Sequence, residues 1–164
     1  MTADKIIIYT DGSCNADYFI GGWASILFIG DEKIVLSGFV TQTTHQRMEL
    51  YAVIKSFEHL VNINLCNLPV LLYTDSQYVL DLPKRSVKWK ASGFITNRSL
   101  PIRNVELVRE LVDYFATIQL TIFKVKAHHW SGDENSNREV DKLSRSIVRD
   151  RVNELLNKAN ITVA

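Results

Sequence analysis

Four carboxylates stand where they can do chemistry together. Asp11 and Asp75 each follow a short apolar, β-branched run, Lys5–Thr10 and Val70–Thr74, so each is expected at the carboxyl end of a buried strand. If those strands are parallel neighbours, both side chains emerge at one edge of the sheet, where α/β proteins hold ligands. Glu49 falls in the first turn of a predicted helix and Asp141 in the first turn of another, beside Val140. A helix start favours a carboxylate through its dipole. Taken singly, turn formation and helix-start preference explain all four. If they converge, the cluster demands a cation, because crowded carboxylates raise one another's pKa, and an all-oxygen set suits a hard ion such as Mg²⁺ or Mn²⁺. Zinc is disfavoured, since no Cys/His spacing matches a zinc site.

The elements that position these groups have to fit one domain. At 164 residues and 46% apolar content the chain can bury a proper core, and a second domain has no room. Lys plus Arg is 19 and Asp plus Glu is 18, so the net charge of +1 makes any nucleic-acid signal local. No basic and then apolar leader opens the sequence, and no apolar run approaches the roughly 18 residues of a membrane span. Cys14 and Cys66 read as free thiols of a reducing compartment, so a cytoplasmic protein without membrane attachment is expected.

Trp23–Ile29 and Ile34–Val40 flank Gly30-Asp-Glu-Lys33, a predicted hairpin with a four-residue loop, which implies three consecutive antiparallel strands. Leu50, Val53, Ile54, Phe57 and Val61 then follow helical spacing after a capping box at Thr43-x-x-Gln46. After the strand Val70–Thr74, a short helix Gln77–Leu82 is expected to stop at Pro83. Strand, helix, strand implies parallel pairing by crossover. Residues 84–103 hold Lys84, Arg85, Lys88, Lys90, Arg98 and Arg103 with no acid, interleaved with Trp89 and Phe94. This is the local charge signal. Asn104 is expected to cap a helix carrying Leu107, Val108, Leu111, Val112 and Phe115, and Gln119–Lys126 to form the final strand. A loop from Ala127 to Ser136 leads to an N-cap at Asn137 and a helix with Val140, Leu143 and Ile147 on one face. The order βββαβαβα is an α/β or α+β fold with a mixed five-stranded sheet. Residues 149–164 read as a helical or frayed tail that begins polar, where truncation is expected to be tolerated.

Tyr9-Thr-Asp11-Gly-Ser13, Arg47-Met-Glu49-Leu50, Thr74-Asp75-Ser-Gln-Tyr-Val79, Val125-Lys-Ala-His128 and Asn137-Arg-Glu-Val-Asp141 stand in an order and spacing that resemble the type 1 ribonuclease H family. The resemblance spans about residues 5–148, so 1–148 reads as a single ribonuclease H domain. Lys88-Trp-Lys-x-x-Gly93-Phe94, followed by Asn104-Val-Glu-Leu107, resembles the basic protrusion of cellular members, here within 84–103.

The resemblance implies a ribonuclease H-like fold and a monomeric endonuclease that hydrolyses the RNA strand of an RNA/DNA hybrid. Asp11, Glu49, Asp75 and Asp141 would hold two Mg²⁺ ions, with Mn²⁺ as a substitute, for in-line hydrolysis that leaves 5′-phosphate and 3′-hydroxyl ends. His128 would assist proton transfer or product release. Cys14, through its backbone, with His45, Gln46 and Gln77, would reach the hybrid through its minor groove, where the 2′-hydroxyl marks RNA. Thr44 would lie near a DNA phosphate, and Lys88, Trp89, Lys90 and Phe94 would grip the DNA backbone.

The sequence departs from the family pattern at Asn15–Ile20, which replaces a Gly/Asn/Pro-rich turn and puts the charge of Asp17 where the family often offers an amide, at Gln42 and Ala127, and in a longer loop after His128. None of these changes removes a carboxylate of the four. Two other readings compete: a catalytically silent hybrid-binding module, which would bind without turnover, and a DNA-cutting nuclease of the same fold.

Overall fold

The computed structural model describes residues 4–125 and 133–162. Its first three strands, β1 (Ile6–Asn15), β2 (Ile20–Ile29) and β3 (Glu32–Thr41), form an antiparallel meander. All three run longer than the apolar pattern predicts. The turn formers Asp11-Gly12-Ser13 do not end β1, because β2 offers a pairing partner at every position out to Asn15. The β2–β3 hairpin is closed by Gly30 and Asp31 rather than four residues, since Ile29 pairs with Glu32. Gly30 supplies the positive φ, 59°, that so tight a turn requires.

Helix α1 (His45–Asn62) is capped by Thr44, whose hydroxyl accepts from the Arg47 N–H, one residue later than the expected box. The N–H of Thr43 is tied to the Phe19 carbonyl, which keeps residue 43 outside the helix. As the fifth residue of α1, Glu49 lies just past the first turn rather than within it. β4 (Val70–Thr74) matches its predicted bounds and pairs parallel with β1, and β5 (Leu120–Lys124) pairs parallel with β4. The mixed five-stranded sheet has the order β3-β2-β1-β4-β5.

Two helices connect β4 to β5, at the two places where helical segments are expected, although the order βββαβαβα counts only one: α2 (Gln77–Ala91) and α3 (Val105–Phe115). The observed order is thus βββαβααβα. Helix α2 continues through Pro83, which forfeits one helical hydrogen bond, at a cost of about 3 kcal/mol for a proline in a helix interior. Burial of Val79, Leu82 and Ser86 around the proline holds the turn in place. Asn104 precedes α3 but does not cap it; it sits at φ 55°, and its Oδ1 accepts from Arg47 at 3.5 Å. Helix α4 (Asp133–Thr162) starts at Asp133 rather than after Asn137, which places Asp141 well inside it.

The main core lies between the sheet and helices α1 to α3, built from Ile6, Ile8, Leu27, Leu50, Phe57, Leu72, Val79 and Leu111 among others. Helix α4 crosses the opposite face, where Val140 packs on Tyr9, Ala24 and Ile26. Among the described residues no helix is long and apolar enough to cross a membrane.

Helix α4 passes residue 148 without a break, and its extension is not idle. Val152 packs with Val148 and Ile20, and the Arg151 guanidinium lies 3.9 Å from the Phe39 ring centroid. Truncation after residue 148 is therefore expected to be costly, contrary to the sequence expectation. Losing one buried valine and one cation–π contact amounts to about 2 kcal/mol, or roughly 4–8 °C in melting temperature for a domain of this size. Thermal unfolding of residues 1–148 beside the full chain checks this, and equal midpoints would show the extension to be dispensable.

Candidate active site

Parallel pairing of β1 with β4 ends at Tyr9 opposite Tyr73, so Asp11 and Asp75 sit just where the two strands part company. Two glycines bring the other carboxylates to the same place. A Cβ added to Gly12 would lie 2.4 Å from both the Glu49 nitrogen and the Met48 carbonyl carbon, so only glycine lets β1 and α1 approach this closely. A Cβ on Gly22 would lie 2.5 Å from the Ser144 carbonyl oxygen, and its absence seats α4 directly on β2. As a result Asp11, Glu49, Asp75 and Asp141 line one open cleft of about 550 Å³, together with His45, Gln46, Gln77 and Arg145.

Charge is held there under strain. Asp11 is 8% exposed, and burial pushes its carboxyl up to about 6, with repulsion from Asp75 and Asp141 adding to the rise. Hydrogen bonds from Ser144, at 2.6 Å, and from the Gly12 backbone act in the opposite direction. Partial burial also raises Asp75, and Glu49 and Asp141 repel its charged form. Glu49 is held at both oxygens: Oε2 accepts from Ser76 Oγ at 2.6 Å, and Oε1 lies 3.1 Å from His45 Nε2. That bond raises the His45 pKa, against a smaller opposing effect of burial. Asp141 Oδ1 accepts from Arg145 Nε at 2.7 Å.

Among the described residues no three His, Cys, Asp or Glu side chains already converge as a cage for a metal ion. Asp11, Glu49 and Asp141 each engage a protein partner instead. The donor set nevertheless fits a hard divalent cation: it is all carboxylate, mutually repelling and open to solvent on one side.

The other predicted residues divide. His45, Gln46 and Gln77 line the cleft, where Gln77 bridges Asp81 at 3.0 Å and Lys124 at 3.2 Å. The Thr44 hydroxyl is occupied as a helix cap, and half-buried Cys14 points its thiol at the Thr43 carbonyl, 3.5 Å away. Lys88, Trp89, Lys90 and Phe94 lie away from the cleft. Lys88 and Lys90 are exposed in the last turn of α2. Trp89 and Phe94 pack against the core, with Arg85 and Arg109 respectively 5.9 and 5.1 Å from their ring centroids, so they anchor the basic segment. His128 lies outside the described residues. Patterning missed Ser76, Ser144 and Arg145. The capping role of Ser76 was open to inference from its place just before a helix, and Arg145 from its i+4 spacing after Asp141.

Comparison with known proteins agrees with this architecture. The RNase H family profile matches residues 3–149. A ribonuclease H of Ehrlichia chaffeensis is 40% identical over 149 residues, covering 89% of this chain and 97% of that protein. One from Wolbachia pipientis is 37% identical over 154 residues, covering 92% and 99%. A crystal structure of a type 1 RNase H with the type 2 active-site motif superposes with a TM-score of 0.74 at 22% identity, over 92% of this chain and 74% of that one. The native Prototype Foamy Virus protease-reverse transcriptase superposes with a TM-score of 0.71 at 26% identity, over 87% of this chain and 20% of that much longer one. Matched along nearly its whole length, with an acidic cleft at the sheet edge, the chain belongs to the ribonuclease H family, nucleases that work with divalent metal ions.

Proposed function

We propose that this ribonuclease H hydrolyses the RNA strand of RNA/DNA hybrids at the acidic cleft, with two Mg²⁺ ions, replaceable by Mn²⁺, held by Asp11, Glu49, Asp75 and Asp141. The observation that carries this reading is the meeting of four carboxylates from β1, α1, the end of β4 and α4 in a single cleft. When bound, the ions supply an activated water and stabilise the departing 3′ oxygen, which leaves 5′-phosphate and 3′-hydroxyl ends. The chain itself supplies position. Ser76 and His45 hold Glu49 at both oxygens, and Arg145 holds Asp141. No side-chain nucleophile is required. On its sequence context alone, His128 is assigned proton transfer or product release.

Selectivity for the hybrid is assigned to His45, Gln46 and Gln77 on the cleft, with the Cys14 backbone and Thr44 at its margin. Lys88 and Lys90, on the segment anchored by Trp89 and Phe94, provide a second point of grip on the DNA strand. The protein acts in this reading as a cytoplasmic monomer, to which the free thiols Cys14 and Cys66 are suited.

Replacing both Lys88 and Lys90 with Ala is expected to raise KM and to reduce the slope of log K against log salt by about 0.9 per lost phosphate contact, with kcat almost unchanged. Steady-state kinetics across a salt series checks it, and an unaltered slope would move the grip elsewhere. The function as a whole is tested with one labelled RNA presented as RNA/DNA hybrid, RNA/RNA duplex and single strand, in Mg²⁺, Mn²⁺ or EDTA. Metal-dependent cutting confined to the hybrid is the expected result. Hybrid binding without cutting would instead identify a silent binding module, and cutting of DNA would identify another nuclease of the same fold.

A further inference from the structure

One buried hydroxyl beside the cleft is unused by the proposed reaction. Ser144, on α4, is fully buried, and its Oγ donates to Asp11 Oδ2 at 2.6 Å. The same hydroxyl lies 3.1 Å from the carbonyl of Asp141, one turn earlier on the helix. A serine has one proton to donate, and the shorter contact to a carboxylate claims it in preference to a carbonyl that is already part of the helical ladder. The backbone of the same residue rests on Gly22, where no Cβ fits. Ser144 is thus both the seat of α4 on the sheet and, among the described residues, the one side chain bonded to Asp11, whose other donor is the Gly12 backbone.

We propose that Ser144 is a positioning residue for divalent-ion binding: its hydroxyl locks the Asp11 carboxylate in one orientation and ties that orientation to the placement of Asp141. An unlocked Asp11 side chain would have to be ordered at the moment an ion binds, and it would lose a donor that favours its charged form. Groups of this kind, bonded to a ligand and not to the metal, commonly set affinity by 10–100-fold. The inference rests on the reading of Asp11 as an ion ligand.

The test measures binding of Mn²⁺ alone by titration calorimetry on the parent, Ser144→Ala, Ser144→Cys and Asp11→Asn proteins at neutral pH, with circular dichroism to establish folding. Ser144→Ala is expected to weaken Mn²⁺ binding on the order of tenfold. Its kcat should fall at limiting Mn²⁺ and recover in excess, while KM for the hybrid stays put. Ser144→Cys preserves size but donates weakly, so it decides the matter if the alanine variant does not fold, and an intermediate loss is expected. Unchanged Mn²⁺ affinity in either folded Ser144 variant overturns the proposal. If Asp11→Asn alone loses affinity, only the role of Ser144 fails; if Asp11→Asn also binds like the parent, the assignment of Asp11 as a ligand fails with it.

Discussion

The Asp75→Asn protein is expected to fold, to bind an RNA/DNA hybrid like the parent, and to cleave it roughly a thousandfold more slowly, corresponding to about 4 kcal/mol of lost transition-state stabilisation. Asparagine has nearly the shape of aspartate, and Asp75 is exposed at the rim just beyond β4, so no core packing depends on its charge. What changes is the anionic field. Burial raises Asp75, and repulsion from Glu49 and Asp141 adds to the rise; among the described residues lining the cleft the positive groups are His45, bonded to Glu49, and Arg145, bonded to Asp141, so the four carboxylates are not fully balanced. Removing one charge relieves that repulsion and removes one anionic oxygen from the set that would hold the ions. The loss should therefore fall on kcat, with KM for the hybrid preserved because Lys88, Lys90, Gln46 and Gln77 are untouched. Single-turnover cleavage under saturating Mg²⁺, beside equilibrium binding of the hybrid, separates the two. A near-parental rate would remove Asp75 from the ion site.

The parallel strands that carry Asp11 and lead into Asp75 were legible because short apolar runs bounded by turn formers read as buried strands, and the pairing of β1 with β4 has the expected sense. Where each carboxylate sits along its element was less legible. Asp-Gly-Ser is a strong local turn signal, yet ten consecutive pairs with β2 override it, so Asp11 is inside a strand and not at its end. Glu49 and Asp141 are brought to the cleft by docking of α1 and α4, not by helix-start preference. The residues responsible for that docking are Gly12 and Gly22, whose close contacts with distant backbone leave no local pattern. Pro83 is a comparable case: a helix breaker by local rule, it is overruled by the burial of Val79, Leu82 and Ser86 around it. In the basic segment the charge was visible in sequence, whereas the anchoring of Trp89 and Phe94 to the core depends on tertiary contacts.

Neutralising Asp11 is expected to stabilise the metal-free protein while disabling it. Burial raises its carboxyl from an ordinary 3.8 to about 6, so between those values the folded chain holds a proton that the unfolded chain has released. The stability associated with this group is then fully present below pH 3.8, declines as pH rises, and is lost above about 6. At about 1.4 kcal/mol per pH unit the loss approaches roughly 3 kcal/mol. Asparagine avoids it, because its side-chain oxygen can still accept from Ser144 without carrying a charge. In EDTA at neutral pH, Asp11→Asn should therefore melt above the parent by roughly 6–12 °C, and the gap should close as pH falls below the ordinary carboxylate value. Saturating Mg²⁺ should narrow the gap from the other side, since an ion that binds the folded parent stabilises it by mass action and the variant offers a poorer site. Thermal melts of both proteins across pH, with and without Mg²⁺, decide the matter. A gap that does not vary with pH would show that the buried charge of Asp11 is not its source, and a parent melting point unmoved by Mg²⁺ would show that relief of that charge is not what the ion provides.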